Sequence, residues 1–267
     1  MVTITQAAQV ISKVTEFLYT LVHVHGVTTE ADGRLEPFLA SLQQEIAEHA
    51  DGPTNALLGE VGATAELLWT SSKTFMGMGD LNRQFCSLLN RAIREDHPDL
   101  ASFTVAIARA LNALRVVAPR AGAAAAEFRP GGITWRGTAF DDSLRGFFTE
   151  GNDYRVPGFL VTSFSPVQAK GFIFNEATAY VKPGVLWKVH VDPAGEGEPA
   201  RRCRNANFVQ HTHVAGEREY LFTAYSVFTV RKVTWSADPM TSPHRVDLDV
   251  ALDNALSSED LPLAPWY

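Results

Sequence analysis

Cysteine is nearly absent: Cys86 and Cys203 are the only two in 267 residues, so no multi-bridge framework holds this chain together. The pair fits a reducing compartment, or a secreted protein that folds without bridges. Basic charge is short as well. Lys and Arg total 23 against 30 Asp and Glu, a formal net charge of −7, and the largest local basic cluster is Arg201, Arg202 and Arg204. A nucleic-acid partner needs a basic face to neutralise phosphates, so none is expected. No apolar run reaches the roughly 20 residues that span a bilayer, and the N-terminus alternates polar and apolar residues at helical spacing rather than forming a signal-peptide core. The expectation is a cytoplasmic protein, or one exported without a cleaved signal peptide, with no membrane span. What is present is ordinary globular composition: 46% hydrophobic and 20% charged residues can bury one substantial core or two modest ones.

The first half reads as helix after helix. Ile4, Ala7, Ile11, Val14, Leu18 and Leu21 recur at three- and four-residue steps, and Leu35, Phe38, Leu39, Leu42 and Ile46 repeat the pattern. Asp51-Gly52-Pro53-Thr54 supplies a break and an N-cap before Leu57, Leu58 and Val61. A stripe of Leu81, Phe85, Leu88 and Leu89 is separated by His97-Pro98-Asp99 from a second of Leu100, Phe103, Ile107, Leu111 and Leu114. From Val117 to Gly132 the composition shifts to Ala, Pro, Arg and Gly. Beyond it the period approaches two, with strand candidates at Ile133–Gly137, Gly158–Phe164, Val185–Val191 and a long pair across Tyr220–Trp235. A short helix begins after Ser165-Pro166. The architecture expected is α+β, a helical N-terminal lobe followed by a mainly antiparallel β-sandwich core.

Three separated segments carry the chemistry. In Thr134-Trp135-Arg136-Gly137-Thr138 an arginine at a strand end offers a bidentate fork to a phosphate, while the adjacent glycine lets backbone come close. Pro157-Gly158-Phe159-Leu160-Val161-Thr162-Ser163-Phe164-Ser165 is an apolar strand ending in a hydroxyl cluster. Gly216-Glu217-Arg218-Glu219-Tyr220-Leu221-Phe222 carries two carboxylates at i and i+2 of a strand, hence on one face. Held close, such carboxylates repel and one pKa rises, as acid–base work requires. Alone, each has an ordinary reading: a surface ion pair, a helix cap at Ser165, a solvated hairpin tip.

In this order the three resemble the arginine–serine–glutamate class of ADP-ribosyltransferases, which includes arginine-specific ecto-enzymes and bacterial toxins and effectors. Glu217 to Val230 is similar to that family's terminal strand pair, Gly184 to Val189 to its preceding strand, Ser165 to Phe172 to the helix after the serine motif, and Leu89 to Arg94 with Ala110-Leu111 to its paired upstream helices. The resemblance runs from about residue 81 to 235. It implies an extension over 1–80 and a transferase domain over 81–267, with a helical subdomain at 81–118 and a β core at 132–250.

The function implied by this resemblance is a mono-ADP-ribosyltransferase that splits NAD and moves ADP-ribose onto an arginine of a target protein. NAD is then a substrate, the partner is a protein with an exposed arginine, and a monomer is expected. By resemblance Glu219 stabilises the oxocarbenium-like ribose, and Glu217 orients the acceptor guanidinium. Arg136 grips the NAD diphosphate with Gly137 alongside, and Thr162 or Ser163 holds Glu219 and the nicotinamide ribose. Phe172 or Phe174 stacks on nicotinamide or packs in the core. The family's Ser-Thr-Ser departs here to Val161-Thr162-Ser163, and Trp135 replaces a common tyrosine. An NAD glycohydrolase, a ubiquitin-directed effector and a non-catalytic NAD-binding protein are the alternatives. No metal is expected: His211 and His213 have no ligand at zinc-like spacing beyond Cys203, and Asp247, Asp249 and Asp253 lack a calcium-loop pattern.

Overall fold

The computed structural model describes residues 6–25, 32–50, 61–75, 83–112, 132–180, 182–191, 206–209, 212–213 and 219–265. They divide into two units, Met1–Leu114 with Val209–Ala215, and Arg115–Phe208 with Gly216–Tyr267. The architecture is α+β.

The first unit is helical: α1 (Ala7–Val24), α2 (Asp32–Ala50), α3 (Val61–Trp69), α4 (Phe85–Glu95) and α5 (Pro98–Leu111). Helix α1 buries Val10, Val14, Phe17, Leu18, Leu21 and Val22, a stripe rotated slightly from the one expected, with Ala7 and Ile11 half-buried at its border. The α2 stripe is buried as read, at Leu35, Phe38, Leu39, Leu42 and Ile46. His97 caps α5 by accepting the Asp99 amide at its ring, and Pro98 opens the first turn, where a missing N–H costs nothing. Within this unit His213 donates its amide to Thr70 Oγ1, 3.4 Å away, and its Nδ1 stands 3.9 Å from Glu45. The described residues 212–213 are not in a strand. His211 lies outside the described residues, as do Cys203, the Arg201–Arg204 cluster and the break at 51–54.

The second unit carries β1 (Ile133–Ala139), β2 (Asp153–Val156), β3 (Leu160–Ser163), α6 (Pro166–Tyr180), β4 (Gly184–His190), β5 (Ala206–Phe208), β6 (Glu219–Phe222), β7 (Ser226–Thr234) and β8 (His244–Val250). They form one eight-stranded sheet in the order β2-β7-β8-β4-β1-β3-β6-β5. Among the described strands of this sheet, only β4 and β8 pair in parallel. The two layers of the expected sandwich are therefore one hydrogen-bonded sheet curled on itself. Phe222 of β6 and Phe228 of β7, from near opposite ends of the order, have ring centroids 5.3 Å apart. The core inside the curl is aromatic-rich, with Phe140, Phe148, Tyr154, Trp187, Tyr220, Phe222 and Phe228.

Helix α6 lies on the outer face, where Ala169 and Ile173 pack with Leu186 and Trp135. The contact is as close as backbone allows. A Cβ added at Gly137 would stand 1.8 Å from the Ala169 carbonyl oxygen. The close approach expected at Gly137 is thus made, on this face, by the helix rather than by a ligand.

Candidate active site

The three signature segments are far apart in sequence and side by side in the sheet, because the strand order runs β1-β3-β6. Register decides which side chains meet. Ser163 is directly opposite Trp135 on one neighbour and Glu219 on the other. Directly opposite residues share a face, so Trp135, Ser163 and Glu219 look the same way. The row continues through Lys188 of β4 and Asp247 of β8 to Lys232 of β7.

Glu219 opens β6 and is 7% exposed. It is not a solvated hairpin charge. Its partner Glu217, with Gly216 and Arg218, lies outside the described residues. Ser163 accepts the Ser165 amide at 3.0 Å, the turn that leads into α6, and Ser165 caps that helix by accepting from the Gln168 amide at 3.4 Å. Thr162 points the other way. It is buried, and its hydroxyl donates to the Tyr220 carbonyl at 3.0 Å. The two candidate hydroxyls are therefore separated: Ser163 faces with the carboxylate, while Thr162 ties β3 to the backbone beside it.

Arg136 is opposite Trp187 and so leaves β1 on the core-side face, one residue out of step with Trp135. Its guanidinium reaches the neighbouring strand instead of entering the core, with Nη1 donating to the Val161 carbonyl at 3.0 Å. That contact uses only the backbone of Val161, so the departure from serine there leaves it intact. Arg136 and Glu219 stand two strand spacings apart, about 10 Å between backbones. Two buried polar atoms on this face of β1, Arg136 Nε and Thr134 Oγ1, have no hydrogen-bond partner among the described residues. Buried donors of this kind cost free energy unless something supplies an acceptor. In the sequence Thr134 reads only as a β-branched strand former beside Arg136. Beneath Arg136, Trp187 is fixed by donating its indole N–H to Thr138 Oγ1 at 2.7 Å.

Phe172 lies on α6 and is 45% exposed, so it does not belong to the core; the side chain of Phe174 lies outside the described residues. At the far end of the row the charges are paired. Asp247 meets Arg245 Nε at 2.8 Å and Lys188 Nζ at 3.7 Å, and Lys188 also sits 5.9 Å from the Trp135 ring centroid. Burial, then Lys188 and Arg231, hold His190 below the usual histidine pKa. Among the described residues no group of three or more His, Cys, Asp or Glu could hold a metal ion.

No protein-family model matches the sequence, and no curated protein does either. Solved structures do match. The ADP-ribosyltransferase HopU1 of Pseudomonas syringae pv. Tomato DC3000 aligns over 79% of this chain and 87% of its own, with a TM-score of 0.53 at 14% identity. The fold is that of an ADP-ribosyltransferase. The type III effector XopAI from Xanthomonas axonopodis pv. citri covers 90% of this chain and 83% of its own, at TM-score 0.51 and 11% identity. Exoenzyme S from Pseudomonas aeruginosa, solved with human 14-3-3 protein beta and Carba-NAD, covers 86% and 92% at TM-score 0.50 and 19% identity. At such identities the likeness concerns the path of the backbone. Among the described residues no helix is long and apolar enough to cross a membrane.

Proposed function

We propose that this protein transfers ADP-ribose from NAD to an arginine side chain of a target protein and releases nicotinamide. The observation that carries the reading is the register: a buried glutamate of β6 directly opposite a serine of β3, the strand that adjoins the one carrying Arg136. As the nicotinamide–ribose bond breaks, positive charge builds on the sugar. A carboxylate already fixed in a poorly solvated position stabilises that charge without having to reorganise. Glu219 takes this role. Ser163, on its face, holds the carboxylate and the ribose, and Thr162 is a positioning residue acting through the β6 backbone. Arg136 grips the diphosphate, and its buried Nε, without a partner among the described residues, supports this assignment because a phosphate oxygen would supply an acceptor. Phe172, exposed on α6, is the aromatic assigned to nicotinamide.

Glu217 is assigned the acceptor. A guanidinium stays protonated near neutral pH, so a carboxylate must orient it and help remove a proton as it attacks. In Glu217→Gln, transfer to agmatine should fall more than hydrolysis of NAD, and an equal fall in both would break this division of labour. A second reading keeps the fold and sends water in place of arginine, which makes the protein an NAD glycohydrolase; Val161, where the resembling family has serine, is instead the ground for a non-catalytic NAD-binding protein. Incubation with NAD and agmatine separates the two. An ADP-ribosyl-agmatine adduct supports transfer, nicotinamide release without adduct supports hydrolysis, and NAD binding without nicotinamide release would overturn both. Mass spectrometry of a lysate treated with the protein and NAD then reports the acceptor residue.

A further inference from the structure

Arg155 of β2 is the hub of a strap formed by the C-terminal segment. Its Nη1 donates to the Tyr225 carbonyl at 3.0 Å, and its Nη2 to the Ser257 and Ser258 carbonyls at 3.2 and 2.7 Å. Its amide donates to the Pro262 carbonyl and its carbonyl accepts the Ala264 amide, at 2.9 and 2.8 Å. Asn254 adds a bond from the Val227 amide to its Oδ1. These bonds bring the backbone at Tyr225, at Ser257 beside Leu256, and on either side of Leu263 to Arg155, and the three apolar side chains are 40%, 86% and 52% exposed. Three large apolar side chains on a pinned backbone form a patch rather than scattered surface residues. Tyr225 sits at φ 61, a left-handed conformation costly for an aromatic residue, and it is held there by its amide's 2.7 Å bond to the Val156 carbonyl.

Charge narrows what this patch fits. Residues 251–267 contain Asp253, Glu259 and Asp260 and no Lys, Arg or His. Asp153 is exposed two residues before Arg155, and the Arg155 guanidinium itself is turned to carbonyls. We propose that this surface docks a basic segment of the target protein that presents an apolar face, such as an amphipathic helix with Leu or Ile flanked by Lys and Arg. The inference rests on the transferase reading and adds a substrate class to it: a basic protein, held at a point separate from the chemistry. Glu219 opens β6 and Tyr225 follows its end, so the patch stands about one strand length, roughly 13 Å, from the carboxylate. Interfaces of this type take their affinity from a few buried apolar anchors, while the charged rim sets partner choice and salt dependence.

The test uses the full chain with two surface variants, Leu256→Ser/Leu263→Ser and Glu259→Lys/Asp260→Lys. The acceptors are agmatine and a synthetic amphipathic helix of leucine, lysine and one arginine. In both variants KM for the peptide should rise about tenfold, the equivalent of losing one anchor, with KM for agmatine and the rate of nicotinamide release unchanged. Equal effects on both acceptors, or none on either, would overturn the proposal. Anisotropy of the labelled peptide on the Glu219→Gln protein reads docking without chemistry. Binding there that the surface variants abolish supports docking even if the transferase reading fails, and no binding refutes docking even if transfer succeeds. A wild-type dimer, seen by sedimentation and lost in Leu256→Ser/Leu263→Ser, would assign the patch to a second copy of this chain and overturn the proposal.

Discussion

Two buried carboxylates stand at opposite ends of one row across the sheet, and their surroundings differ. Glu219 and Asp247 are 7% and 8% exposed and share a face through Ser163, Trp135 and Lys188. Asp247 is hemmed by cations: Lys188 and Lys232 are its row neighbours and Arg245 binds it through two nitrogens. That is a structural charge, neutralised where it sits. The row neighbour of Glu219 is instead a hydroxyl. In the reaction proposed above, that hydroxyl would orient the Glu219 carboxylate toward a cation that develops only as the sugar bond breaks. The same burial thus serves structure at one end and proposed chemistry at the other, and the flanking residue types make the difference.

The sharpest way to break this comparison is to neutralise each carboxylate in turn. Glu219→Gln should keep NAD binding and slow nicotinamide release by roughly 10²–10³-fold, as loss of a preorganised electrostatic stabiliser does. Asp247→Asn should lower the melting temperature and leave turnover of the folded protein unchanged. The reverse pattern, measured by stopped assay and calorimetry, would sink the distinction. A smaller effect follows on the same face at Gly137. Gly137→Ala forces α6 away from β1 and should destabilise by about 1–3 kcal/mol, as overpacking does. A urea midpoint equal to wild type would show that the helix has room to shift.

Smaller again is the contrast within β3. Thr162→Val removes the hydroxyl's hydrogen bond to the buried Tyr220 carbonyl and should cost about 1 kcal/mol of stability. Ser163→Ala should reduce turnover with little change in stability. If the two variants exchange phenotypes, the faces assigned from register are wrong. The smallest effect concerns the cationic end of the row. Because burial, Lys188 and Arg231 lower the His190 pKa in the folded state, the unfolded chain binds a proton more readily. The stability tied to His190 is therefore complete above the ordinary histidine pKa and drains away as pH falls from there toward the lowered native value. His190→Gln should flatten that part of the profile of unfolding midpoint against pH.

The legible parts of the fold were those with a strong local period. The α2 stripe and the His97-Pro98 start of α5 follow from spacing and capping alone. Three strands were missed. His244-Arg245-Val246-Asp247-Leu248-Asp249-Val250 alternates fully, with Val246, Leu248 and Val250 in the core, yet its aspartates invite a reading as possible metal ligands. The short β2 and β5, of four and three residues, carry too few positions to show a period. For the candidate site, Arg136, Thr162, Ser163 and Glu219 stood out as residue types in order. The sequence left Thr162 and Ser163 interchangeable, and only register separated them.

The chain by itself determined which segments are helical or extended and which few polar residues interrupt apolar strands, because both follow from side-chain period and local hydrogen bonding. It could not determine strand order or register, which depend on contacts between residues remote in the chain, such as Trp135 with Ser163 and Ser163 with Glu219. Tertiary structure alone decided that Glu219 faces Ser163 and Asp247 faces lysines. It also decided that the glycine beside Arg136 yields its space to a helix.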